Sequence, residues 1–256
     1  MRTPFEADQF GEADLPVEVG LGGAQTSSDR AKDMKKPSGR EAREVAIPPL
    51  GLVGTLSVPA NASALVAFAH GSGSSRLSPR NRVVAEALNK KGMTTLLFDL
   101  LTTEEEAVRA NVFDIPLLAG RLTDAVEWLD QDRKFRRMAF GLFGASTGAA
   151  AALVAASELG RRISAVVSRG GRPDLAASAL DRVDSPTLLI VGGADYGVIE
   201  LNEQAFAKLR GPKALEIVPG ASHLFPEPGA LETVVDLAAR WFERYLRTNP
   251  SAASAT

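Results

Sequence analysis

Short apolar segments alternate with amphipathic segments along most of the chain. The clearest apolar segment is Ala64–Ala69, which is hydrophobic throughout, as a strand buried on both faces requires. The clearest amphipathic segment, 231–245, carries apolar residues at helical spacing. The same two patterns predict further strands at 44–48, 54–58, 94–100, 138–143, 163–168, 187–191 and 214–218, and further helices at 79–92, 118–129, 147–159 and 201–209.

This alternation predicts an α/β fold, with a mostly parallel sheet of about eight strands and helices on both faces. The first two strands are close in sequence and are expected to form an antiparallel hairpin at one edge. Only a short connection separates Ser168 from Thr187, so no cap domain is expected there. In such sheets ligands bind beyond the carboxyl ends of the strands. Functional residues are therefore sought on the loops that follow strands.

Three regions are predicted from composition. Residues 1–42 are rich in small and charged residues without usable periodicity, which predicts a flexible N-terminal arm. Residues 43–248 form the predicted catalytic domain, and 249–256 a frayed tail. The first twenty or so residues lack the apolar core of a secretory signal, so a cytoplasmic location is expected.

Composition excludes several classes of function. The net charge is −2, so no overall basic field would hold nucleic acid or an anionic membrane, and neither is expected as a partner. The chain has no cysteine and 2 histidines, which argues against thiol chemistry and metal binding. No apolar run approaches the length of a membrane span.

A Gly-Ala-Ser-Thr-Gly sequence at 144–148 follows a predicted strand and begins a predicted helix. Alone, the G-x-S-x-G pattern is weak. The strand–turn–helix context is that of a nucleophile elbow, in which a tight turn directs the serine into the crevice. Ser146 is therefore the candidate nucleophile, and the alternative is a glycine-rich turn with an incidental serine.

A serine nucleophile needs an adjacent base, and His223 follows the last predicted strand. Asp195 follows the strand at 187–191, where a carboxylate could orient the imidazole. Asp99 and Glu200 are rival carboxylates, and Asp195 could instead be a helix cap.

The Gly/Ser-rich loop after Ala64–Ala69 is a candidate for stabilising an oxyanion. We expect one donor to be the N–H of Thr147 and the other the N–H of Ser72, with Gly71 or Gly73 as alternatives. Gly71 is also expected to line the substrate site. His70 is expected to hydrogen-bond loop backbone rather than act as a base.

Two arginines, Arg169 and Arg172, follow the strand at 163–168. Arg169 is a candidate to bind a carboxylate or phosphate of a substrate. The alternative is a salt bridge to an acidic neighbour that organises the loop.

From about 44 to 247 the chain resembles α/β-hydrolases, and most closely the dienelactone-hydrolase-like group. The matching segments are AFAHGSGSS, GLFGASTG, VVSRGG, LLIVGGAD and PGASHLF, in the expected order. The resemblance implies a Ser146–His223–Asp195 triad and no cofactor. Dienelactone hydrolases proper have a cysteine nucleophile where this chain has Ser146, which favours ordinary ester hydrolysis.

These observations together predict a serine hydrolase that cleaves small or medium carboxylic esters in an open crevice. A thioesterase or acyltransferase would use the same triad. The alternative from another class is a small-molecule receptor or interaction module on a hydrolase scaffold, since fold does not fix function. The oligomeric state is not predicted.

Overall fold

A single eight-stranded sheet organises the computed structural model, which describes residues 40–246. Its strands are β1 (Arg40–Ile47), β2 (Leu52–Pro59), β3 (Ala64–Ala69), β4 (Met93–Phe98), β5 (Ala139–Ala145), β6 (Ile163–Arg169), β7 (Thr187–Gly192) and β8 (Lys213–Val218). They lie in the order β1-β2-β4-β3-β5-β6-β7-β8. β2 is antiparallel to both of its neighbours, and every other pairing, from β4 to β8, is parallel.

The α/β architecture and the antiparallel hairpin at one edge are confirmed. β1 is longer than predicted, because its pairing with β2 begins at Arg40 opposite Pro59. Residues 40–42 of the predicted arm therefore belong to the sheet. The rest of the arm, 1–39, and the tail from 247 onwards lie outside the described residues.

Eight α-helices are present within residues 40–246. They are α1 (Pro79–Lys90), α2 (Thr103–Glu106), α3 (Arg109–Val112), α4 (Ile115–Gln131), α5 (Arg133–Arg136), α6 (Thr147–Leu159), α7 (Tyr196–Lys208) and α8 (Ala230–Tyr245). The five long ones match the predicted helices. α2, α3 and α5 have four residues each, too few to show a periodic pattern, and were not predicted.

Two apolar clusters cover the two faces of the sheet. One joins the sheet to α4, α6 and α7, and the other joins it to α1 and α8. α6 is apolar nearly all round because it lies between the sheet and other elements, and its alanines are almost fully buried. The small side chains let this helix approach β5 closely. This close approach shapes the turn that carries Ser146 at the N-terminus of α6.

The connection between β6 and β7 is short, as predicted. It holds two short 3₁₀ helices, Pro173–Ala176 and Leu180–Arg182, and no cap domain is inserted there. Among the described helices, none combines the length and apolar character needed to cross a membrane.

One face of the sheet packs against α1 and α8, and we call it the α1/α8 face. A substitution where α8 contacts β5 tests the packing of this face. Phe242 is 0% exposed, and its ring fills the space that a side chain at Gly141 would occupy. Phe242→Ala should reduce the free energy of unfolding by about 3–5 kcal/mol. The exposed Arg240→Ala on the same helix should change it by less than about 0.5 kcal/mol. Urea denaturation measures both, and equal effects would contradict this account of the core.

Candidate active site

Ser146 lies at the turn between β5 and α6, in a backbone conformation that L-residues rarely adopt. Its φ is 50° and its ψ is −121°. Its N–H donates to the carbonyl of Arg169 at 3.2 Å, and its own carbonyl accepts the N–H of Arg172 at 3.1 Å. These bonds tie the turn to β6 and the loop that follows. The sheet therefore holds a conformation that costs about 1–3 kcal/mol locally.

Two glycines make this turn possible. A Cβ on Gly144 would lie 2.4 Å from Cα of Ala149, and one on Gly148 would lie 2.3 Å from the His70 carbonyl oxygen. Both distances are well inside van der Waals contact with backbone atoms that cannot rotate away. The turn is thus closed to any larger residue at either position, and Ser146 is raised above the end of the sheet.

The structure brings the three predicted side chains into one hydrogen-bonded chain. His223 lies on the loop between β8 and α8, and its Nδ1 is 2.7 Å from Oδ2 of Asp195. Its Nε2 is 3.3 Å from Oγ of Ser146. The side chains of His223 and Asp195 are 14% and 15% exposed, so their contact is largely shielded from water. This arrangement could remove a proton from Ser146.

The rival carboxylates are placed elsewhere. Asp99 accepts the backbone N–H of Arg76 at 2.7 Å and forms an ion pair with its guanidinium at 2.6 Å. Glu200 lies within α7 and is exposed. Asp195 precedes α7 but its side chain makes no capping hydrogen bond, because the carboxylate is directed to His223.

Two side-chain contacts hold the loops of the site, and sequence reasoning missed both. Glu227 accepts the N–H of Ser222 at 3.0 Å, which braces the residue before His223. Buried Asn202 on α7 donates to the Gly171 carbonyl at 3.0 Å, which anchors the loop after β6. Nothing in the local sequence marks either residue, since Asn202 acts on a segment that only the fold brings near and the loop that carries Glu227 has no periodic pattern.

The two residues expected to donate to the oxyanion, Ser72 and Thr147, are in contact with each other, and this contact was not predicted. The N–H of Ser72 donates to Oγ1 of Thr147 at 2.9 Å. The N–H of Thr147 belongs to the first turn of α6, where backbone donors have no partner within the helix. Gly71 lies against the nucleophile, since a Cβ there would be 3.0 Å from Cβ of Ser146. The hydroxyl of Thr147 was not predicted to take part.

His70 has the structural role expected of it. Its Nε2 accepts the N–H of Leu100 at 3.1 Å, and its Nδ1 lies 3.0 Å from the carbonyl of Gly71. This pairing assigns the ring proton to Nδ1 of a neutral imidazole. Burial lowers the pKa of His70, against the opposing effects of the Gly71 carbonyl and of the carboxylates of Asp99 and Glu106. His70 therefore joins β3 to the segment that follows β4.

A cleft of about 110 Å³ opens beside Ser72 and Thr147. Its walls come from the loop 70–75 and from the connection between β4 and α4. That connection contributes Leu101, Thr103, Glu106 and Val112.

The two arginines differ, Arg169 as the last residue of β6 and Arg172 on the loop that follows. Arg172 forms a two-point ion pair with Asp174, with N···O distances of 2.9 and 2.8 Å, which raises the pKa of Arg172. Arg169 is 5% exposed and has no such partner within 40–246. The predicted loop-organising salt bridge thus belongs to Arg172 and not to Arg169.

No cluster of three or more His, Asp or Glu side chains suited to a metal ion occurs in the described part of the chain. The strand order, together with a serine, an aspartate and a histidine in that order on loops after β5, β7 and β8, defines an α/β-hydrolase scaffold.

Comparison with known proteins identifies the family. The sequence profile of the dienelactone hydrolase family matches residues 80–248. A solved dienelactone hydrolase from Anabaena variabilis is 55% identical, with a TM-score of 0.77, over 81% of this chain and 98% of that one. The chain belongs to the dienelactone hydrolase family.

One further solved structure and two curated proteins are also similar to this chain. Est1E from Butyrivibrio proteoclasticus shares the fold at 16% identity, with a TM-score of 0.66, over 81% of this chain and 98% of that one. Proteins from two strains of Mycobacterium tuberculosis are 56% identical over 203 residues, 79% of this chain, and carry the provisional name phosphoribosyl transferase. The chain spans 46% of the length of those two relatives.

The strained backbone at Ser146 gives a testable order of stabilities. Glycine adopts positive φ without penalty, so Ser146→Gly should be more stable than Ser146→Ala by about 1 kcal/mol. At Ser157, inside α6, the order should reverse, with alanine more stable by about 1 kcal/mol. Urea denaturation of the four variants checks this. The same order at both positions would show that Ser146 is not strained.

The lowered pKa of His70 predicts a loss of stability in acid. Below about pH 6.5 the unfolded chain takes up a proton at this histidine that the folded protein resists. The free energy of unfolding should therefore fall with decreasing pH, by at most about 1.4 kcal/mol per pH unit for this one group. Denaturation at pH 7.5 and pH 5.5 measures the fall. The fall in the free energy of unfolding should be smaller in His70→Gln. An equal fall in the two proteins would show that the lowered pKa of His70 is not its cause.

Proposed function

We propose that the protein is a serine hydrolase that cleaves carboxylic esters of small or medium size. The observation that carries this proposal is the position of His223, which bridges Ser146 Oγ and Asp195 Oδ2. Membership of the dienelactone hydrolase family supports a hydrolytic function. Because Ser146 replaces the cysteine of dienelactone hydrolases proper, ordinary esters are favoured over dienelactones.

In the proposed reaction, Ser146 Oγ attacks the ester carbonyl while His223 Nε2 accepts its proton. Asp195 orients the imidazole and stabilises its cationic form. The tetrahedral intermediate collapses, and His223 returns the proton to the departing alcohol. Water, deprotonated by His223, then attacks the acyl group on Ser146 and releases the acid.

The oxyanion would be held by the N–H groups of Thr147 and Ser72. The Ser72 N–H donates to Oγ1 of Thr147 in the free protein. An oxyanion would therefore share this N–H with the Thr147 hydroxyl or take the hydroxyl's place as its acceptor. A hydroxyl that accepts one hydrogen bond can still donate its own proton. Thr147 could therefore supply a second donor from its side chain.

The cleft beside Thr147 supports small or medium substrates. It has room for a few non-hydrogen atoms, and its walls combine apolar side chains with hydroxyls and the carboxylate of Glu106. We propose that Gly71 lines the substrate site because its missing side chain leaves space beside Ser146.

A fluorophosphonate probe tests the nucleophile, because it reacts with a serine activated by a base and an oxyanion hole. We expect one adduct per chain by intact mass, absent in Ser146→Ala. The matched control is Ser157→Ala, whose hydroxyl only donates within α6 and whose loss should leave labelling intact. Folded protein without an adduct would reject the hydrolase proposal in favour of the receptor alternative.

Asp195→Asn tests the orienting carboxylate. Loss of the charge that fixes the imidazole should lower kcat for 4-nitrophenyl acetate by roughly 10³–10⁴-fold. The same change at Asp174, which pairs with Arg172, should have a much smaller effect. Steady-state kinetics at pH 8 measures both. A fall of less than tenfold for Asp195→Asn would remove Asp195 from the proposed triad.

A further inference from the structure

The cleft beside Ser72 and Thr147 carries charges of one sign only. It has a volume of about 110 Å³, and the carboxylates of Asp99 and Glu106 both lie in its wall. No lysine or arginine among the described residues lines it. A carboxylate accepts hydrogen bonds and donates none. The charged groups of this wall therefore suit a ligand that donates hydrogen bonds or carries a positive charge.

Glu106 is the charged group of the wall that remains available to a ligand. Asp99 already accepts two hydrogen bonds from Arg76, at 2.7 Å from its backbone N–H and at 2.6 Å from its guanidinium. Both ring nitrogens of His70 lie against backbone groups, at 3.0 and 3.1 Å. The side chain of Glu106 forms no hydrogen bond or ion pair with any residue in 40–246. Its charge is therefore not balanced within that part of the chain.

The arginines of the same segment interact with other groups. The guanidinium of Arg109 lies 6.0 Å from the centre of the Phe113 ring. Arg121, on α4, forms an ion pair with Glu105 at 2.7 Å. The adjacent carboxylates of Glu105 and Glu106 therefore differ, because the first has an arginine as its counter-charge and the second has none among the described residues.

Glu106 is placed in the neighbourhood of the nucleophile. It is the last residue of α2 and is exposed at the cleft. Its carboxylate lies close enough to His70 to oppose the burial that lowers the pKa of this ring. His70 directly precedes Gly71, where an added Cβ would lie 3.0 Å from Cβ of Ser146. A substrate held at Ser146 could therefore extend to this carboxylate.

Apolar side chains complete the wall. Leu101, Val112 and Leu118 line the cleft together with the carboxylate of Glu106. A short alkyl chain would bury apolar surface against them, and a cation at its end could pair with Glu106. The volume of the cleft limits such a chain to a few non-hydrogen atoms. The cleft therefore suits a short chain that ends in a positive charge.

We propose that the cleft binds an ammonium group on the ester that Ser146 cleaves, with the Glu106 carboxylate as its counter-charge. This rests on the proposed function and narrows its substrate class. An ammonium group has three donors, which the carboxylate and the hydroxyls of Ser74 and Thr103 in the same wall could accept. A neutral hydroxyl on the substrate would supply a donor but would leave the charge of Glu106 unbalanced.

Esters of equal size test this proposal. The first set is phenyl 3-aminopropanoate, phenyl 3-hydroxypropanoate and phenyl butanoate, which differ only in the terminal group of the acyl chain. The second set is 4-(aminomethyl)phenyl acetate, 4-(hydroxymethyl)phenyl acetate and 4-ethylphenyl acetate, which place the same groups on the alcohol side. Each kcat/KM at pH 7 is divided by the rate of hydrolysis of that ester by hydroxide, which removes differences in intrinsic reactivity.

We expect the ammonium ester of at least one set to exceed both of its neutral counterparts in this normalised kcat/KM. Because Glu106 is exposed, the advantage should be about threefold to tenfold, and it should shrink with added salt. No advantage in either set, or an equal advantage of the hydroxyl ester, would overturn the proposal.

Substitutions on α2 assign the effect to one carboxylate. Glu106→Gln should bring the ratio of ammonium to alkyl ester close to one, and Glu106→Lys should bring it below one. Glu104→Gln removes the same charge from an exposed residue of the same helix that does not line the cleft, and should keep the ratio. An unchanged ratio in Glu106→Gln, or an equal loss in Glu104→Gln, would overturn the proposal.

A binding measurement separates this proposal from the hydrolase proposal. Ser146→Ala is titrated calorimetrically with the same six esters. Tighter binding of an ammonium ester, lost in Ser146→Ala/Glu106→Gln, supports the ammonium site whatever the turnover. Labelling of Ser146 by the fluorophosphonate without any preference for an ammonium ester would reject the ammonium site alone. Absence of labelling would reject the hydrolase proposal.

Discussion

The contact on which the site depends is the close approach of three backbone segments around Ser146. At Gly148 the first turn of α6 lies directly against the carbonyls of Ala69 and His70, and at Gly144 the end of β5 lies against the backbone of Ala149. A Cβ on either glycine would collide with backbone atoms, so the segments are packed as closely as glycine allows. The nucleophile, the N-terminus of α6 and the Gly/Ser loop therefore form one rigid unit, and the positive φ of Ser146 is a consequence of that packing.

Much of this unit could be predicted because local sequence encodes it. Continuous apolar runs gave the central strands, and the glycines at 144 and 148 indicated a turn that excludes side chains. The orienting role of Asn202 and Glu227 could not be predicted. Asn202 holds a loop 31 residues away in sequence, and Glu227 holds its own loop through a side-chain contact; a lone buried amide or a single carboxylate has no periodic signature. The Thr147 hydroxyl was missed for a related reason, since the donor it meets, Ser72, lies 75 residues away.

Arg169 and Arg172 also differ in a way that the sequence could not predict. The sequence places both on one glycine-rich loop after a strand, where each could pair with an acid. The structure separates them at the end of β6. Arg172 lies beyond the strand and finds Asp174 two residues on, whereas Arg169 is the last residue of β6 and is directed into the α1/α8 face. Only the fold decides which guanidinium is already neutralised.

Charge is therefore distributed unevenly around Ser146. The cleft on one side carries the carboxylates of Asp99 and Glu106 among hydroxyls, and the Asp99 charge is balanced by Arg76. The other side holds the guanidinium of Arg169, which is 5% exposed and lies 6.0 Å from the centre of the Phe225 ring. The hydroxyl-rich cleft is thus the side of Ser146 that is open to a ligand, whereas the cationic side is closed by packing.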